Sequence, residues 1–155
     1  MPYVDICFGN ARDAAKCLGY AEKDKNFIDG DYSICVDKKH MENVRERYGF
    51  TNLITTLRKS ISASDNGWSG AVCSESGLYQ GSGYNLHIVD RVGGGDSFAA
   101  GFLHGILTHM EPDRALEFAL AAAAIKHTIP GDLNYISEEE VLTLMNSDGS
   151  GRVNR

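Results

Sequence analysis

Three consecutive glycines at positions 93–95 constrain the fold of this chain more than any other feature. They lie between a strand-like apolar run that ends at Asp90 and a helix-like run that begins at Ser97. Glycine loses more backbone freedom on folding than any other residue, so three in a row indicate a backbone that turns sharply and stays uncovered. A strand, a glycine turn and a helix N-terminus present successive N–H groups, and this arrangement binds anions.

Asp96 directly follows the glycines and admits two interpretations. In the structural one, the glycines only turn the chain, and the carboxylate is favoured by the helix dipole. In the chemical one, the N–H groups hold a phosphoryl group while Asp96 takes a proton from an attacking hydroxyl. General-base assistance of this kind contributes roughly 10²–10⁴ in rate, and preorganised donors contribute on a similar scale.

Two familiar phosphate-binding motifs are excluded at this position. The dinucleotide fingerprint ends in Gly or Ala, whereas Phe98 occupies that place here. The P-loop requires Lys followed by Ser or Thr after its glycines, and no lysine follows this turn.

The rest of the chain predicts an α/β fold, because strand-like runs at 3–8 and 51–58 enclose two helical segments, as in a parallel sheet. The Ser/Gly-rich residues 60–70 are expected to form a loop, followed by short strands at an antiparallel edge. The predicted helices span residues 10–19, 38–48, 97–109, 112–127 and 137–146. Residues 1–146 are expected to form the folded part, and residues 147–155 a mobile polar tail.

Composition limits the function classes. The 155 residues are 43% apolar with a net charge of −6, which is typical of one globular domain and argues against nucleic-acid and anionic-membrane partners. No run is long and apolar enough for a membrane span, and a cytoplasmic protein is expected. The four cysteines form no C-x-x-C pair, so we expect buried free thiols rather than a zinc site.

The stretch VDRVGGGDSFAAGF resembles the C-terminal signature of the ribokinase-like sugar kinases, the phosphofructokinase-B family. Its departures from the family pattern are Arg91 and Gly94. Together with IKHTIPGDLN at 125–134, it is most similar to the 2-keto-3-deoxygluconate kinases. The matching positions are Asp90, Gly93, Gly95, Asp96, Phe98 and Gly101.

The resemblance implies a three-layer ribokinase-like fold with helices on both faces of the sheet. It makes Asp96 the catalytic base that deprotonates a sugar hydroxyl. It also makes Gly93, Gly94 and Gly95, with the Asp96 N–H, the anion hole for the transferring phosphoryl group. Asp90 and the Val92 carbonyl match positions that hold a potassium-like ion in some members.

Further residues have both a structural and a functional interpretation. GNARDAA resembles the family's magnesium-ordering motif, which implies that Asn10 and Asp13 act on Mg²⁺ through water; alternatively they cap a helix and favour its dipole. ITTLRKS resembles a nucleotide-contacting strand, which makes Thr56 and Arg58 candidates for the ATP site; alternatively Arg58 is an exposed strand end.

The helix at 112–127 has small apolar residues that pack against a neighbouring helix or an adenine ring. Its last turn carries Lys126 and His127, where cations are favoured electrostatically. The resemblance implies that both line the nucleotide pocket. Trp68 either covers a ligand or packs at the edge of the fold.

The resemblance covers only the C-terminal half of the family, so we expect this chain to carry the phosphate-transfer machinery without most of the sugar site. The leading hypothesis is an ATP- and Mg²⁺-dependent sugar kinase acting on a sugar acid, and a homodimer is compatible with it. The alternatives are a catalytically silent module that binds a nucleotide or a partner, and a nucleoside or vitamin kinase of the same superfamily.

Overall fold

The computed structural model describes residues 3–9, 17 and 37–147 of the chain. The described strands are β1 (Ile6–Phe8), β2 (Asn52–Ser60), β3 (Asp65–Ser74), β4 (Gly77–Gln80) and β5 (Tyr84–His87). The described helices are α1 (Lys38–Tyr48), α2 (Gly94–Leu107), α3 (Pro112–Lys126) and α4 (Glu138–Met145). Of the helix predicted at 10–19, only residue 17 is described, and it is helical; of the tail predicted at 147–155, only residue 147 is described.

The sheet is mixed. β1 pairs in parallel with β2, with Phe8 opposite Ile54, and the order continues through β3 to β4. β2 and β3 are antiparallel, as are the pairs that β3 makes with β4 and β5. Antiparallel pairing therefore begins at β2 and is more extensive than the small edge predicted. β1 is also shorter than the predicted run at 3–8.

The prediction of a loop at 60–70 is wrong for its second half, because residues 65–70 begin β3. The small residues of this segment serve close packing instead of a turn. A Cβ at Gly70 would lie 2.9 Å from the carbonyl oxygen of Thr55 on the neighbouring strand. Trp68, in the same segment, is buried in the core.

Helices cover both faces of the sheet. Because successive strand residues point to opposite faces, Leu53 and Ile54 enter different cores. Leu53 packs with Met41 and Val44 of α1. Ile54 and Trp68 belong to the core that α2 and α3 complete. The three-layer α/β architecture is therefore confirmed, and none of the described helices is long and apolar enough to cross a membrane.

The helix ends follow local sequence signals. Asp37 caps α1 by accepting a hydrogen bond from the His40 N–H, and Gly49 ends that helix with a left-handed φ of 73°. The predicted capping box of Ser137 and Glu140 is present at α4. α2 differs from its predicted 97–109 range: it begins at Gly94, because the glycine turn itself forms the first helical turn.

α2 and α3 pack through small residues. A Cβ at Gly101 would lie 2.9 Å from Ala119 Cα, and one at Gly105 would lie 2.7 Å from Ala115 Cβ. The alanine-rich face of α3 is therefore used for helix packing, which was one of the two interpretations of its sequence.

The described cysteines Cys7, Cys17 and Cys73 are free. Cys73 is buried and Cys7 half-buried, as expected for structural thiols, whereas Cys17 is exposed. The expectation of buried thiols is therefore wrong for Cys17, and Cys35 lies outside the described residues.

Candidate active site

The glycine turn presents open N–H groups at the start of α2. Gly93 is the N-cap, with a φ of 75°, and its carbonyl accepts the Ser97 N–H at 2.8 Å. The Gly94 N–H points to the Arg91 carbonyl at 3.4 Å. Within the described residues, the N–H groups of Gly95 and Asp96 have no hydrogen-bond acceptor. Such unpaired donors at a helix N-terminus attract anions.

The three glycines meet different surroundings. A Cβ at Gly93 would lie 2.8 Å from the Asp132 carbonyl oxygen, and one at Gly94 would lie 2.7 Å from His127 Cε1. A Cβ at Gly95 would meet nothing within 4 Å. The turn is therefore closed on the side of Gly93 and Gly94 and open at Gly95.

Asp96 is exposed in the first turn of α2, next to these N–H groups. It lies at a cleft of about 490 Å³ between α2, α3 and the segment that leads to α4. Ser97 lines the same cleft and accepts a hydrogen bond from Asn134 Nδ2 at 2.7 Å. A second depression of about 560 Å³, along α4, contains none of the predicted site residues. The carboxylate is thus open to a reactant from outside.

Thr56 and Arg58 lie at the carboxyl end of the parallel pair. Phe8, the last residue of β1, lies opposite Ile54 of β2. Thr56 and Arg58 come after Ile54 along β2. The Gly9 N–H donates to the Ile54 carbonyl at 3.0 Å, which brings the end of β1 to the same edge. Ligands of open α/β sheets bind outside the carboxyl ends of strands. Asn10 and Asp13, predicted to act on magnesium, lie outside the described residues.

A chain of ring contacts joins Arg58 to the glycine turn. The Arg58 guanidinium lies 5.6 Å from the centroid of the Trp68 ring, and that ring lies 5.0 Å from the imidazole of His127. The imidazole in turn lies beneath Gly94. The structure therefore brings Arg58 and the glycine turn to one region. Trp68 is buried in the core, so the interpretation that it packs at the edge of the fold is wrong.

Positive charge accumulates in this region. Arg58 is exposed near the end of β2, but partial desolvation lowers its pKa, and the charge of Arg91 lowers it further. Burial also lowers the pKa of His127, against a smaller raising effect of its 2.6 Å hydrogen bond to the Ala123 carbonyl. The charges of Arg58, Arg91 and Lys126 add to the lowering at His127. Cations that repel one another in this way are stabilised by a bound anion.

Lys126 and His127 are both buried beneath the turn. The Lys126 ammonium donates to the carbonyl oxygens of Ile129, at 3.0 Å, and Gly131, at 2.6 Å. His127 Nδ1 contacts the Ala123 carbonyl, which makes this nitrogen the donor. Contact with a nucleotide stays a prediction for both residues, and their described contacts are to the chain itself.

Asp90 ties the turn to the segment after α3. Its carboxylate accepts the Val92 N–H at 3.0 Å and the Gly131 N–H at 2.7 Å. These two hydrogen bonds hold the pKa of Asp90 below its usual range, and the bond from the Val92 N–H has the larger effect. A monovalent ion at Asp90 and the Val92 carbonyl stays a prediction. No cluster of three or more His, Cys, Asp or Glu suited to a metal occurs among the described residues.

Sequence reasoning missed Asp132 and Asn134, and treated Arg91 only as a departure from a pattern. The first two contact the turn and the cleft from the segment PGDLN, which follows α3. These two residues come close to the glycine turn only because the chain folds back towards it after α3. A weak signal existed in the accumulation of Pro, Gly, Asp and Asn directly after a helix.

Comparisons with known proteins agree with this geometry. The family model described as the pfkB family carbohydrate kinase matches residues 1–138. The chain is 38% identical to a 2-dehydro-3-deoxygluconokinase from Thermotoga maritima, with a TM-score of 0.83 over 94% of this chain and 42% of that one. A ribokinase from Arabidopsis thaliana, solved with ribose and ATP, shares the fold at 18% identity and a TM-score of 0.66, over 94% of this chain and 42% of that one.

Two curated relatives carry different names. An ATP-dependent ribose-1-phosphate kinase from Halopiger xanaduensis is 42% identical over 114 residues, which are 73% of this chain and 38% of that protein. A 2-dehydro-3-deoxygalactonokinase from Haloferax volcanii is 30% identical over 86 residues, or 55% of this chain and 27% of that protein. The matched residues thus cover well under half the length of these relatives. With its glycine turn and the match over residues 1–138, it belongs to the pfkB family of carbohydrate kinases.

Proposed function

We propose that this chain is the nucleotide-binding and phosphoryl-transfer part of an ATP-dependent sugar kinase. The γ-phosphoryl group of ATP passes to a hydroxyl of a sugar acid such as 2-keto-3-deoxygluconate. The observation that carries the proposal is the pair of open N–H groups at Gly95 and Asp96, beside the exposed Asp96 carboxylate. A site built only to bind phosphate gains nothing from a carboxylate at this point.

Each part has a defined task. The N–H groups of Gly95 and Asp96 stabilise the charge on the transferring phosphoryl group, and Asp96 accepts the proton of the attacking hydroxyl. Arg58, with Arg91 nearby, supplies positive charge towards the nucleotide phosphates. Positioning and charge neutralisation are the main demands of phosphoryl transfer.

Asn10 and Asp13 are the residues proposed to bind magnesium. An amide and a carboxylate fit a cation that prefers oxygen ligands and retains several waters. When bound, the ion neutralises phosphate charge. These two residues would hold it through its waters.

The acceptor is proposed from similarity. The identity of 38% to the Thermotoga deoxygluconokinase favours a sugar acid. The identity of 42% to a ribose-1-phosphate kinase favours a phosphorylated sugar as the second candidate. The two differ in whether the substrate carries a carboxylate or a phosphate, so a substrate panel separates them.

The first test is a calorimetric titration of the 155-residue chain with Mg-ATP, with circular dichroism as the check of folding. We expect saturable binding by the wild type and by Asp96→Asn. Because most of the sugar site is expected in the N-terminal half of the family, transfer of labelled phosphate is then measured with the N-terminal half of a family member supplied, and with 2-keto-3-deoxygluconate, ribose 1-phosphate, ribose and a nucleoside as acceptors. A folded chain that binds no Mg-ATP would contradict the proposal. Binding without transfer to any acceptor would favour the silent module.

A further inference from the structure

The ammonium group of Lys126 lies behind the glycine turn. The residue is fully buried, although lysine is rarely buried without a paired charge. Its Nζ donates to the carbonyl oxygens of Ile129 and Gly131. Among the described ion pairs, none includes Lys126.

Carbonyl oxygens are the ligands with which proteins replace the hydration shell of a monovalent cation. A buried ammonium without such partners would lose its hydration without compensation. The two carbonyl oxygens accept hydrogen bonds from the ammonium at the positions where they would coordinate a bound ion. The arrangement therefore has the chemistry of a cation site whose cation is covalently attached to α3.

This cation is connected to the anion hole by short contacts. A Cβ at Gly93 would lie 3.1 Å from Lys126 Cε, so the stem of the lysine packs directly under the turn. Gly131, whose carbonyl accepts from the ammonium, donates its own N–H to Asp90. The other oxygen of Asp90 accepts the Val92 N–H. Displacing the ammonium would release the segment 129–131 and, through Asp90, the backbone that leads into the turn.

We propose that Lys126 is a tethered cation that positions the glycine turn, so that this site needs no bound monovalent metal ion. It fills the role that a potassium-like ion at Asp90 and the Val92 carbonyl would otherwise have. The inference deepens the proposed function, because the turn that Lys126 positions is the proposed phosphoryl site. Its stability test, however, does not depend on ATP binding.

The test uses the 155-residue chain in buffers whose monovalent cation is tetramethylammonium, which is too large for a two-carbonyl site. Thermal unfolding is followed while K⁺, Na⁺ or NH₄⁺ replaces it at constant ionic strength. We expect the wild-type midpoint to change by less than about 1 °C across the series, and Lys126→Ala to unfold about 5–10 °C lower. K⁺ or NH₄⁺ should then raise the midpoint of Lys126→Ala saturably and recover about half of the loss.

Two variants serve as controls. Lys126→Met keeps the aliphatic volume and leaves no space for an ion, so it should be destabilised and show no cation response. Lys59→Ala removes an exposed lysine of β2 and should behave as the wild type. Recovery by small cations in Lys126→Ala alone separates a cation role from a simple packing role.

Three results would overturn the inference. One is a saturable stabilisation of the wild type by K⁺, which would reveal a separate ion site and needs no variant to fold. The second is a Lys126→Ala protein as stable as the wild type. The third is a destabilised Lys126→Ala protein that no cation restores. If the wild type binds no Mg-ATP, the proposed function fails, and the unfolding series still decides on Lys126.

Discussion

The imidazole of His127 lies directly beneath Gly94, where a Cβ would come within 2.7 Å of the ring atom Cε1. The ring cannot yield, because it is buried against Trp68 and bound through Nδ1 to the Ala123 carbonyl. Gly94 is a departure from the family's glycine pattern, and the structure supplies a steric reason for glycine at this position.

We therefore expect Gly94→Ala to lower the free energy of unfolding by about 1–3 kcal/mol, the usual cost of overpacking. Gly95→Ala is the matched control, because its Cβ would meet nothing within 4 Å. Thermal unfolding should show a lower midpoint for the first variant only. Equal stability of the two variants would contradict the packing described for His127.

Asp96→Asn should remove the proton acceptor and keep the N–H groups. Transfer in the kinase should fall by about 10²–10⁴, with Mg-ATP affinity unchanged or higher, because a negative charge beside the phosphates is removed. Initial rates and calorimetry measure the two effects. Asp113→Asn, an exposed first-turn carboxylate of α3, should leave both unchanged. A rate equal to that of the wild type would exclude Asp96 as the base.

The lowered pKa of His127 predicts a pH dependence of stability. The pKa of His127 in the folded chain is below the ordinary histidine value of about 6.5. At pH values between the folded pKa and about 6.5, the unfolded chain therefore binds a proton at this residue that the folded chain does not. Stability contributed by neutral His127 is therefore present above about pH 6.5 and falls as the pH is lowered towards the folded pKa. Unfolding midpoints between pH 7.5 and 5 should decline more steeply in the wild type than in His127→Asn. Parallel curves would argue against the lowered pKa.

Gly105→Ala should destabilise the contact between α2 and α3, because its Cβ would lie 2.7 Å from Ala115 Cβ and 2.9 Å from Ala115 Cα. The expected loss of about 1–3 kcal/mol from overpacking exceeds the ~1 kcal/mol that alanine gains over glycine in a helix. Denaturant unfolding measures the difference. Gly83→Ala, with nothing within 4 Å of its Cβ, is the control and should match the wild type.

Local signals predicted the parts of the fold that depend on neighbouring residues. The capping box of Ser137, the left-handed Gly49 and the helix after the glycine turn all follow from short-range chemistry. The segment 65–70 was misinterpreted, because small residues indicate a turn in sequence but here allow close strand pairing.

In the candidate site, too, only the features that depend on neighbouring residues were predictable from the sequence. The open N–H groups lie where the glycine motif indicated. The direction of the Lys126 side chain was not predictable, because its partners at 129 and 131 come into reach only after the chain turns back beyond α3. The stacking of Arg58, Trp68 and His127 likewise joins three distant parts of the sequence.

The aromatic contacts of Phe8 have a mechanical consequence. Its ring meets those of Phe98 and Phe102 edge-on, at 6.3 and 5.7 Å, so the end of β1 is fastened to the helix that carries Asp96. Aromatic packing therefore holds the end of β1 against the helix that begins beside Asp96. If Asp96 acts as proposed, the acceptor hydroxyl has to reach the carboxylate at this edge, because the ring contacts hold the first turns of α2 against the end of β1.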